Sequence, residues 1–302
     1  MRVGTRPRIA LTMGDVAGIG PEVIVRACVD SRLEDLVVPI VVGHPAILER
    51  AIRLVNARLK VREVSSLKEA AGEPGAICCW NPGRDDVVDV PPGTNDPRSG
   101  RGAYDYLVGA IRGALAGEID AITTAPLSKA ALHLADLKYP GHTEILAVEC
   151  GVKQFGMMLY LPKGESVRSP NGLGVVHVTL HTSIRSVPGL LTSEGVTEKI
   201  VLIDEFMREM GCGKPRVGVC ALNPHAGEEG LFGEEERTII EPGVAKAGQL
   251  GIEARGPYPA DTLLKRAVGG EFDAVVAMYH DQGHIALKLI AFESAVNVTL
   301  GL

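Results

Sequence analysis

Three histidines, each at the end of an apolar, strand-like run, have the residue type and placement that point most directly to chemistry. They are His181, His225 and His280. A neutral imidazole is a common ligand for borderline divalent metals, and strand ends are where side chains from distant segments converge. The pattern therefore predicts a metal site. Zn²⁺ suits three histidines with open positions, and Mg²⁺, Mn²⁺ or Co²⁺ suits a set that carboxylates and water complete.

Neighbouring residues leave alternatives for the ligand set. His284 is a rival to His280, and Asp281 or Asp261 could add a carboxylate ligand. The open coordination positions of such a site are where a substrate would bind. We keep these alternatives beside the three histidines.

Other histidines are separated from the metal site by spacing and context. His177 and His181 fall on one face of a predicted strand but about 13 Å apart, so they cannot share one ion. Because His177 is flanked by valines inside that strand, we interpret it as a core or supporting histidine. His44 and His133 lie in no comparable context, and we expect both at the surface.

A second group of residues suits an anion. His142 and Thr143 follow Gly141 at a predicted helix N-terminus, where free N–H groups and the helix dipole favour negative charge. Thr143 could equally be only the helix cap. Lys288 and Asn297 lie downstream of the last metal candidate and could contact a phosphate or carboxylate.

A glycine-rich turn at residues 14–22 follows a predicted strand and opens a predicted helix. Its glycines do not have the G-x-G-x-x-G spacing of a dinucleotide-binding turn. The turn is either a tight strand-to-helix connection or a loop that lines a ligand site.

The elements that must position these residues alternate between strands and helices, which predicts an α/β fold. The stretch 81–101 is rich in Pro, Gly and Asp, and it is either a surface loop or a hinge between lobes. Strands are predicted at residues 8–13, 37–43, 76–80, 119–126, 155–161, 173–180, 216–222 and 272–278, and helices at 21–29, 44–55, 103–115, 127–134, 193–210, 234–250 and 260–267.

Composition excludes several classes of protein. The 302 residues are 46% hydrophobic and only 4% aromatic, which predicts a large, mainly aliphatic core. A net charge of -6 with interspersed signs argues against a nucleic-acid partner. No apolar stretch reaches the roughly 18 residues that a membrane span needs. The six cysteines form no C-x-x-C pair, and without a signal peptide we expect reduced, buried thiols in the cytoplasm.

Six motifs in order give the chain a specific resemblance. From about residue 8 to the end it resembles the 4-hydroxythreonine-4-phosphate dehydrogenase family of pyridoxal phosphate biosynthesis. The motifs are LTMGDVAGIGPE at 11–22, TTAPLSK at 123–129, GHTE at 141–144, NPHAG at 223–227, GPYPAD at 256–261 and YHDQG at 279–283.

The resemblance implies a two-lobed α/β fold with a central cleft, like that of isocitrate and isopropylmalate dehydrogenases. Residues 1–302 would then form one two-lobed unit. One lobe would comprise about residues 1–125 with the C-terminal part, and the other about residues 126–260. The resemblance also implies a homodimer with a shared active site.

The family's functional residues map onto positions already singled out. Its metal ligands correspond to His181, His225 and His280, the last reaching across from the partner chain. Its substrate-binding residues correspond to His142, Thr143, Lys288 and Asn297.

Three departures from the family pattern affect the interpretation. His284 and Ile285 stand where the family has Leu-Pro, a pattern associated with a branch that acts on D-threonate or D-erythronate 4-phosphate. Val16 stands where Pro is usual. The chain stops at Leu302, before a segment that in relatives carries a phosphate-binding Arg and a loop contacting the nicotinamide nucleotide, so we expect a truncated chain or an incomplete site.

The family chemistry is metal-dependent oxidation of a phosphorylated 3-hydroxy acid by NAD or NADP, followed by decarboxylation. A metal on the hydroxyl and carboxylate oxygens stabilises the developing alkoxide and then the enolate. Asp261 and Lys129, and also Asp281, are candidate proton carriers, and the sequence does not choose among them. The alternatives are D-threonate or D-erythronate 4-phosphate as substrate, or a non-catalytic metabolite-binding relative.

Overall fold

The computed structural model describes residues 6–301, which fold into two α/β units, residues 6–152 and 153–301. The predicted α/β class is confirmed. The division differs from the lobe boundaries expected near residues 125 and 260. Helices between residues 129 and 149 pack on the first unit, and the last two strands join the second unit's sheet. The expected truncation after residue 302 lies outside the described residues.

The first unit contains a parallel five-stranded sheet in the order β3-β4-β2-β1-β5. Its strands are β1 Arg8–Thr12, β2 Val38–Val42, β3 Lys60–Glu63, β4 Ala76–Trp80 and β5 Ala121–Thr124. Its helices are α1 Gly20–Val29, α2 Ser31–Leu36, α3 Pro45–Leu54, α4 Pro97–Leu115, α5 Lys129–Leu134 and α6 His142–Glu149.

Helix α4 begins six residues before the predicted start at 103. Asp96 caps it, because the carboxylate accepts a hydrogen bond from the Arg98 backbone N–H at 2.8 Å, and Pro97 occupies the first turn. Leu107 and Ile111 on this helix pack with buried residues of α5 and α6. The stretch predicted as a loop or hinge is therefore partly the first turn of a core helix.

The second unit contains a mixed six-stranded sheet in the order β11-β6-β7-β10-β8-β9. Its strands are β6 Gly156–Leu161, β7 Leu173–His177, β8 Arg216–Cys220, β9 Glu253–Tyr258, β10 Ala274–Ala277 and β11 Val296–Leu300. Its helices are α7 Val187–Leu190, α8 Ser193–Glu209, α9 Glu241–Gln249, α10 Ala260–Val268 and α11 His280–Ala291.

Four adjacent strands of this sheet, β7, β10, β8 and β9, are parallel. Their carboxyl ends therefore lie at one edge, the usual place for ligand sites in α/β sheets. Strand β7 ends at His177, three residues before the predicted end. The chain then bends, while the N–H groups of Val178 and Thr179 still donate to the carbonyls of residues 277 and 278 at the end of β10.

The core is aliphatic, as predicted. Among the largest fully buried side chains only Tyr106 and Phe272 are aromatic. All six cysteines are free, and five are buried while Cys150 is partly exposed. The prediction that the cysteines are mostly buried is confirmed.

No helix within residues 6–301 has both the length and the apolarity needed to cross a lipid bilayer.

Candidate active site

The predicted metal ligands follow neighbouring strands of the second unit. His181 comes after β7, His280 begins α11 after β10, and His225 comes after β8. Since β10 lies between β7 and β8, the three residues occupy one edge in the order 181, 280, 225. Asp261 follows β9, the next strand along. The topology thus places four candidate residues along the same edge.

His181 and His280 lie close together. Their ring centroids are 5.9 Å apart. Two imidazoles that bind one ion through bonds of about 2.0–2.1 Å have ring centres roughly 5–6 Å apart, so this pair fits a shared metal. A cavity of about 380 Å³ is lined by both rings and by Leu180, Ile184 and Tyr279 among others. The pair therefore borders a space large enough for a small ligand.

The His280 ring is oriented by its neighbour in sequence. Its Nδ1 lies 2.7 Å from the Asp281 carboxylate, so Nδ1–H donates and Nε2 remains the available lone pair. A carboxylate that bonds the other ring nitrogen is the usual support of a metal-bound histidine. This arrangement fits the predicted role of His280.

Gln282 fixes the start of α11. Its Oε1 accepts a hydrogen bond from the Met278 N–H at 2.7 Å, and its Nε2 donates to the Ala221 carbonyl at 2.7 Å. One side chain, two residues after His280, thus joins the carboxyl ends of β10 and β8. Sequence reasoning assigned no role to Gln282, because its partners are backbone atoms distant in the chain.

Two buried histidines support the exposed edge. His284 is only 5% exposed, and its Nδ1 lies 3.2 Å from His177 Nε2. Its ring stacks on His280, with centroids 3.8 Å apart and planes 10° from parallel. Burial lowers the pKa of His177 to about 4. The pKa of His284 is also lowered, mainly by burial and to a smaller extent by the nearby His280. The geometry favours a supporting role for His284 over the role of rival ligand.

His225 lies on a left-handed turn. Residues 225–229 all have positive φ, and four of these five are not glycine. Such backbone costs energy for ordinary residues and is concentrated at functional sites. The imidazole of His225 is exposed. The buried carboxylate of Glu236 accepts bonds from the Leu222 and Asn223 N–H groups at the start of this turn.

A complete ligand set is not assembled within one chain. Among residues 6–301, no three His, Cys, Asp or Glu side chains lie close enough together to hold a metal ion. His181 and His280 form a pair, and His225 does not join it. The resemblance implies that His280 crosses to another subunit. Within one chain its ring centroid lies 5.9 Å from that of His181.

Two of the anion candidates, His142 and Thr143, lie in the first unit. Helix α6 begins with Gly141 as its cap and has no side-chain cap, so Thr143 is not the capping residue. The His142 imidazole bonds the Ala125 backbone, just after β5, and burial lowers its pKa. Lys129 is exposed at the start of α5, in the same connection after β5. His142 and Lys129 thus flank one strand end of the first sheet.

Lys288, Asn297 and Asp261 are exposed in the second unit. Lys288 lies two turns along α11 from its start, with Nζ 5.9 Å from the Phe292 ring centre. Asn297 lies on the edge strand β11, opposite Leu159. The structure does not bring these two residues into contact with the histidine pair.

The glycine-rich turn is not built like a pyrophosphate cradle. The Asp15 N–H bonds the Pro126 carbonyl at 3.0 Å, so the turn is used to join the ends of β1 and β5. Glu22 places a carboxyl group in the first turn of α1, where an anion would otherwise be favoured. These residues do not fit the nucleotide phosphates.

The prediction that His44 lies at the surface is wrong. Its side chain is buried, and its Nδ1 accepts a hydrogen bond from the Ala46 N–H at 3.2 Å. It therefore caps α3. His133 is exposed, as predicted.

Comparison with known proteins matches residues 35–302 to the family described as "Pyridoxal phosphate biosynthetic protein PdxA". D-threonate 4-phosphate dehydrogenase of Cupriavidus necator is 43% identical, over 98% of this chain and 86% of that protein. 4-Hydroxythreonine-4-phosphate dehydrogenase of Geobacter metallireducens is 42% identical, over 99% of this chain and 85% of that protein.

Among solved structures, 4-hydroxythreonine-4-phosphate dehydrogenase of Klebsiella pneumoniae is similar, with a TM-score of 0.86 and 40% identity. The match covers 98% of this chain and 88% of that one. Relatives with both substrate names are thus similar to this chain at nearly equal identity.

Proposed function

Because the chain belongs to the pyridoxal phosphate biosynthetic protein PdxA family, we propose that it oxidises 4-hydroxy-L-threonine 4-phosphate to 2-amino-3-oxo-4-phosphooxybutanoate. It is a dehydrogenase of a secondary alcohol, with NAD or NADP as acceptor and decarboxylation after oxidation. The observation that carries the proposal is the His181–His280 pair beside a cavity at the carboxyl edge of a parallel sheet.

The metal ligands in this proposal are His181, His225 and His280, from two copies of the chain. A bound Zn²⁺, Mg²⁺, Co²⁺ or Mn²⁺ ion supplies Lewis-acid stabilisation of negative charge on the substrate oxygens. Asp281 orients His280 by accepting its Nδ1–H, and Gln282 holds the backbone from which both residues project.

Four residues bind the substrate in this proposal. His142 and Thr143, at the N-terminus of α6, contact its anionic groups, and Lys288 and Asn297 add further polar contacts. A bound nicotinamide cofactor would accept the hydride from the carbon that bears the alcohol, and a side chain of the protein would take the hydroxyl proton. Asp261 and Lys129 are the candidates for that proton transfer, because both lie just after strand ends and both are exposed.

The assembly in this proposal is a cytoplasmic homodimer with a shared active site. The ligand count supports it, because two histidines of one chain need a third from elsewhere to reach the usual set of three protein ligands.

A second candidate substrate is D-threonate 4-phosphate, with D-erythronate 4-phosphate beside it. His284, which departs from the usual family pattern, is buried against His177 and stacked on His280. The relative from Cupriavidus necator acts on D-threonate 4-phosphate by its name. The second candidate leaves the metal and nucleotide chemistry unchanged.

Steady-state reduction of NAD⁺ and NADP⁺ tests the proposal, with each phosphorylated substrate and each of the four metals. We expect turnover that needs metal, is higher with 4-hydroxythreonine 4-phosphate, and is abolished in His181→Ala. The His133→Ala variant is the matched control, since His133 is exposed in the first unit and should retain full activity. Faster turnover of D-threonate 4-phosphate would assign the second substrate, and no reduction with any substrate would reject a dehydrogenase.

A further inference from the structure

The turn that carries His225 is held by a buried carboxylate to which the chemistry above gives no role. Glu236 is only 4% exposed, and no cation pairs with it among residues 6–301. Removing a carboxylate from water is unfavourable unless hydrogen bonds compensate for the lost hydration. The hydrogen bonds that compensate Glu236 come from Leu222 and Asn223, just before the left-handed residues 225–229.

Both oxygens of Glu236 contact that turn. Oε1 accepts the backbone N–H groups of Leu222 and Asn223, each at 2.8 Å, and Oε2 accepts Asn223 Nδ2 at 3.0 Å. The same oxygen lies under Gly227, where an added Cβ would come within 2.7 Å of it. The carboxylate therefore bonds the beginning of the segment that contains His225 and packs closely against its middle.

The turn needs such an anchor because its backbone is unfavourable. His225, Ala226, Glu228 and Glu229 all have φ between 45° and 55°, a region that L-residues rarely adopt in succession. Strained backbone persists only where surrounding contacts determine it. Without Glu236 the turn should relax toward ordinary φ values, and His225 should move with it.

We propose that Glu236 is the positioning residue of His225, acting through the turn at residues 222–229 and not by contact with metal or substrate. This inference rests on the proposed role of His225 as a metal ligand. It extends that role by naming the group that sets the ligand's position before any metal binds.

The test compares Glu236→Ala, Glu236→Asp and Glu236→Gln with the full-length wild-type protein. Alanine removes the anchor, and aspartate withdraws it by one methylene while keeping the charge. Glutamine keeps one oxygen for the two backbone N–H groups and loses only the acceptor for Asn223 Nδ2, which still donates to Glu235 Oε2 at 2.8 Å. Glu241→Ala is the matched control, because Glu241 is exposed in the same helical stretch.

The first readout is hydrogen–deuterium exchange of the metal-free protein. We expect faster exchange at residues 222–230 in Glu236→Ala and Glu236→Asp, with unchanged protection of β7 and β10. The control should match wild type, and the glutamine variant should exchange more slowly at this turn than either shortened variant. Unchanged exchange of the turn in both shortened variants would overturn the proposal. If the alanine variant does not fold, the aspartate variant decides by the same criterion.

The second readout is Co²⁺ affinity by titration, with the visible d–d spectrum as a report on the ligand set. Supporting residues of metal ligands typically change affinity by roughly 10- to 100-fold. We expect a loss of that size in Glu236→Ala and Glu236→Asp, and recovery in Glu236→Gln. Wild-type affinity and spectrum in both shortened variants would overturn the proposal. If wild-type protein binds no Co²⁺, the metal centre itself fails, and unchanged exchange would separately show that Glu236 does not hold the turn.

Discussion

At the level of single residues, burial divides the second unit's histidines into two groups. His181 and His225 are exposed and His280 is half-buried, whereas His177 and His284 are buried and bonded to each other. A metal-binding side chain must be accessible to the ion, whereas a supporting ring must be held in place by the packing around it. The exposed group therefore matches the predicted ligands, and the buried pair matches the support.

A prediction for Asp281 follows from its bond to His280. Replacing Asp281 with Ala removes the acceptor of Nδ1–H, so the ring loses its fixed orientation, and we expect Co²⁺ affinity to fall roughly tenfold or more. Isothermal titration measures the change. Asp281→Asn keeps an acceptor oxygen and should lose less. Equal affinity of the alanine variant and wild type would show that Asp281 does not orient the ligand.

A pH prediction follows from His177, whose pKa falls from an ordinary 6.5 to about 4 because of burial. In the unfolded chain His177 is protonated below about pH 6.5, whereas in the folded protein it is protonated only below about pH 4. His177 therefore imposes no penalty above pH 6.5, and stability is lost as pH falls through this window. Between pH 7 and 5 the loss amounts to about 2 kcal/mol.

Urea unfolding at pH 7 and pH 5 checks the sign. His177→Gln cannot titrate, so it should lose about 2 kcal/mol less than wild type over the same interval. Equal losses in both proteins would mean that the His177 ring is protonated in the fold as readily as in the unfolded chain.

At the level of elements, the close approach of α11 to β7 brings the histidines together. A Cβ on Gly283 would lie 2.5 Å from His177 Nε2 and 2.9 Å from Val175 Cγ1. Only glycine allows α11 to lie this near the strand. The stacking of His284 on His280 therefore depends on a residue without a side chain.

Substituting Gly283 with Ala should force α11 away from β7. We expect overpacking to lower the free energy of unfolding by about 1–3 kcal/mol and to weaken Co²⁺ binding. The matched control is Gly248→Ala in α9, where no atom lies within 4 Å of the added Cβ, and it should stabilise by about 0.5–1 kcal/mol. Urea denaturation measures both, and a neutral Gly283→Ala would contradict the close packing.

The sequence predicted those parts of the site that depend on local pattern. Apolar β-branched runs marked β7, β8 and β10, so the histidines at their ends were visible. Glu236 and Gln282 were not, because each bonds backbone atoms whose position depends on strand order. Strand order is a tertiary property, which no local pattern contains.

Boundaries were predicted less well than elements. The strand before His181 is three residues shorter than its β-branched pattern suggests, because the chain bends after β7 while still bonding β10. Strand β11 was missed, since its exposed polar residues lack the apolar run of a buried strand. The predicted helix at 234–250 begins instead with a π-helical turn, Glu236–Ile240, before α9.

At the level of the whole molecule, each unit has its own sheet and its own share of the candidate residues. The first unit carries His142, Thr143 and Lys129, and the second carries the histidines that bind metal in our proposal. The second unit supplies a close pair of candidate ligands but no set of three among the described residues. Completion by a second copy is therefore a property that only the assembly can test.

Mixed oligomers of two inactive variants test this directly. Co-expressed His225→Ala and His280→Ala chains should recover activity, because one site of each mixed dimer keeps all three ligands if these two come from different subunits. A mixture of His181→Ala and His280→Ala chains should not recover activity, since the ring centroids of these two histidines lie 5.9 Å apart in one chain. No recovery in the first mixture would place His225 and His280 of one subunit at the same ion.

Buried cysteines in both units are natural probes of local opening. Cys28, Cys78 and Cys79 lie in the first unit, Cys212 and Cys220 in the second, and all five are buried. A thiol reagent reaches such a side chain only when the structure around it opens. Labelling rates of these cysteines, measured by peptide mass spectrometry, would therefore give the rate of local opening in each unit separately, without any introduced probe.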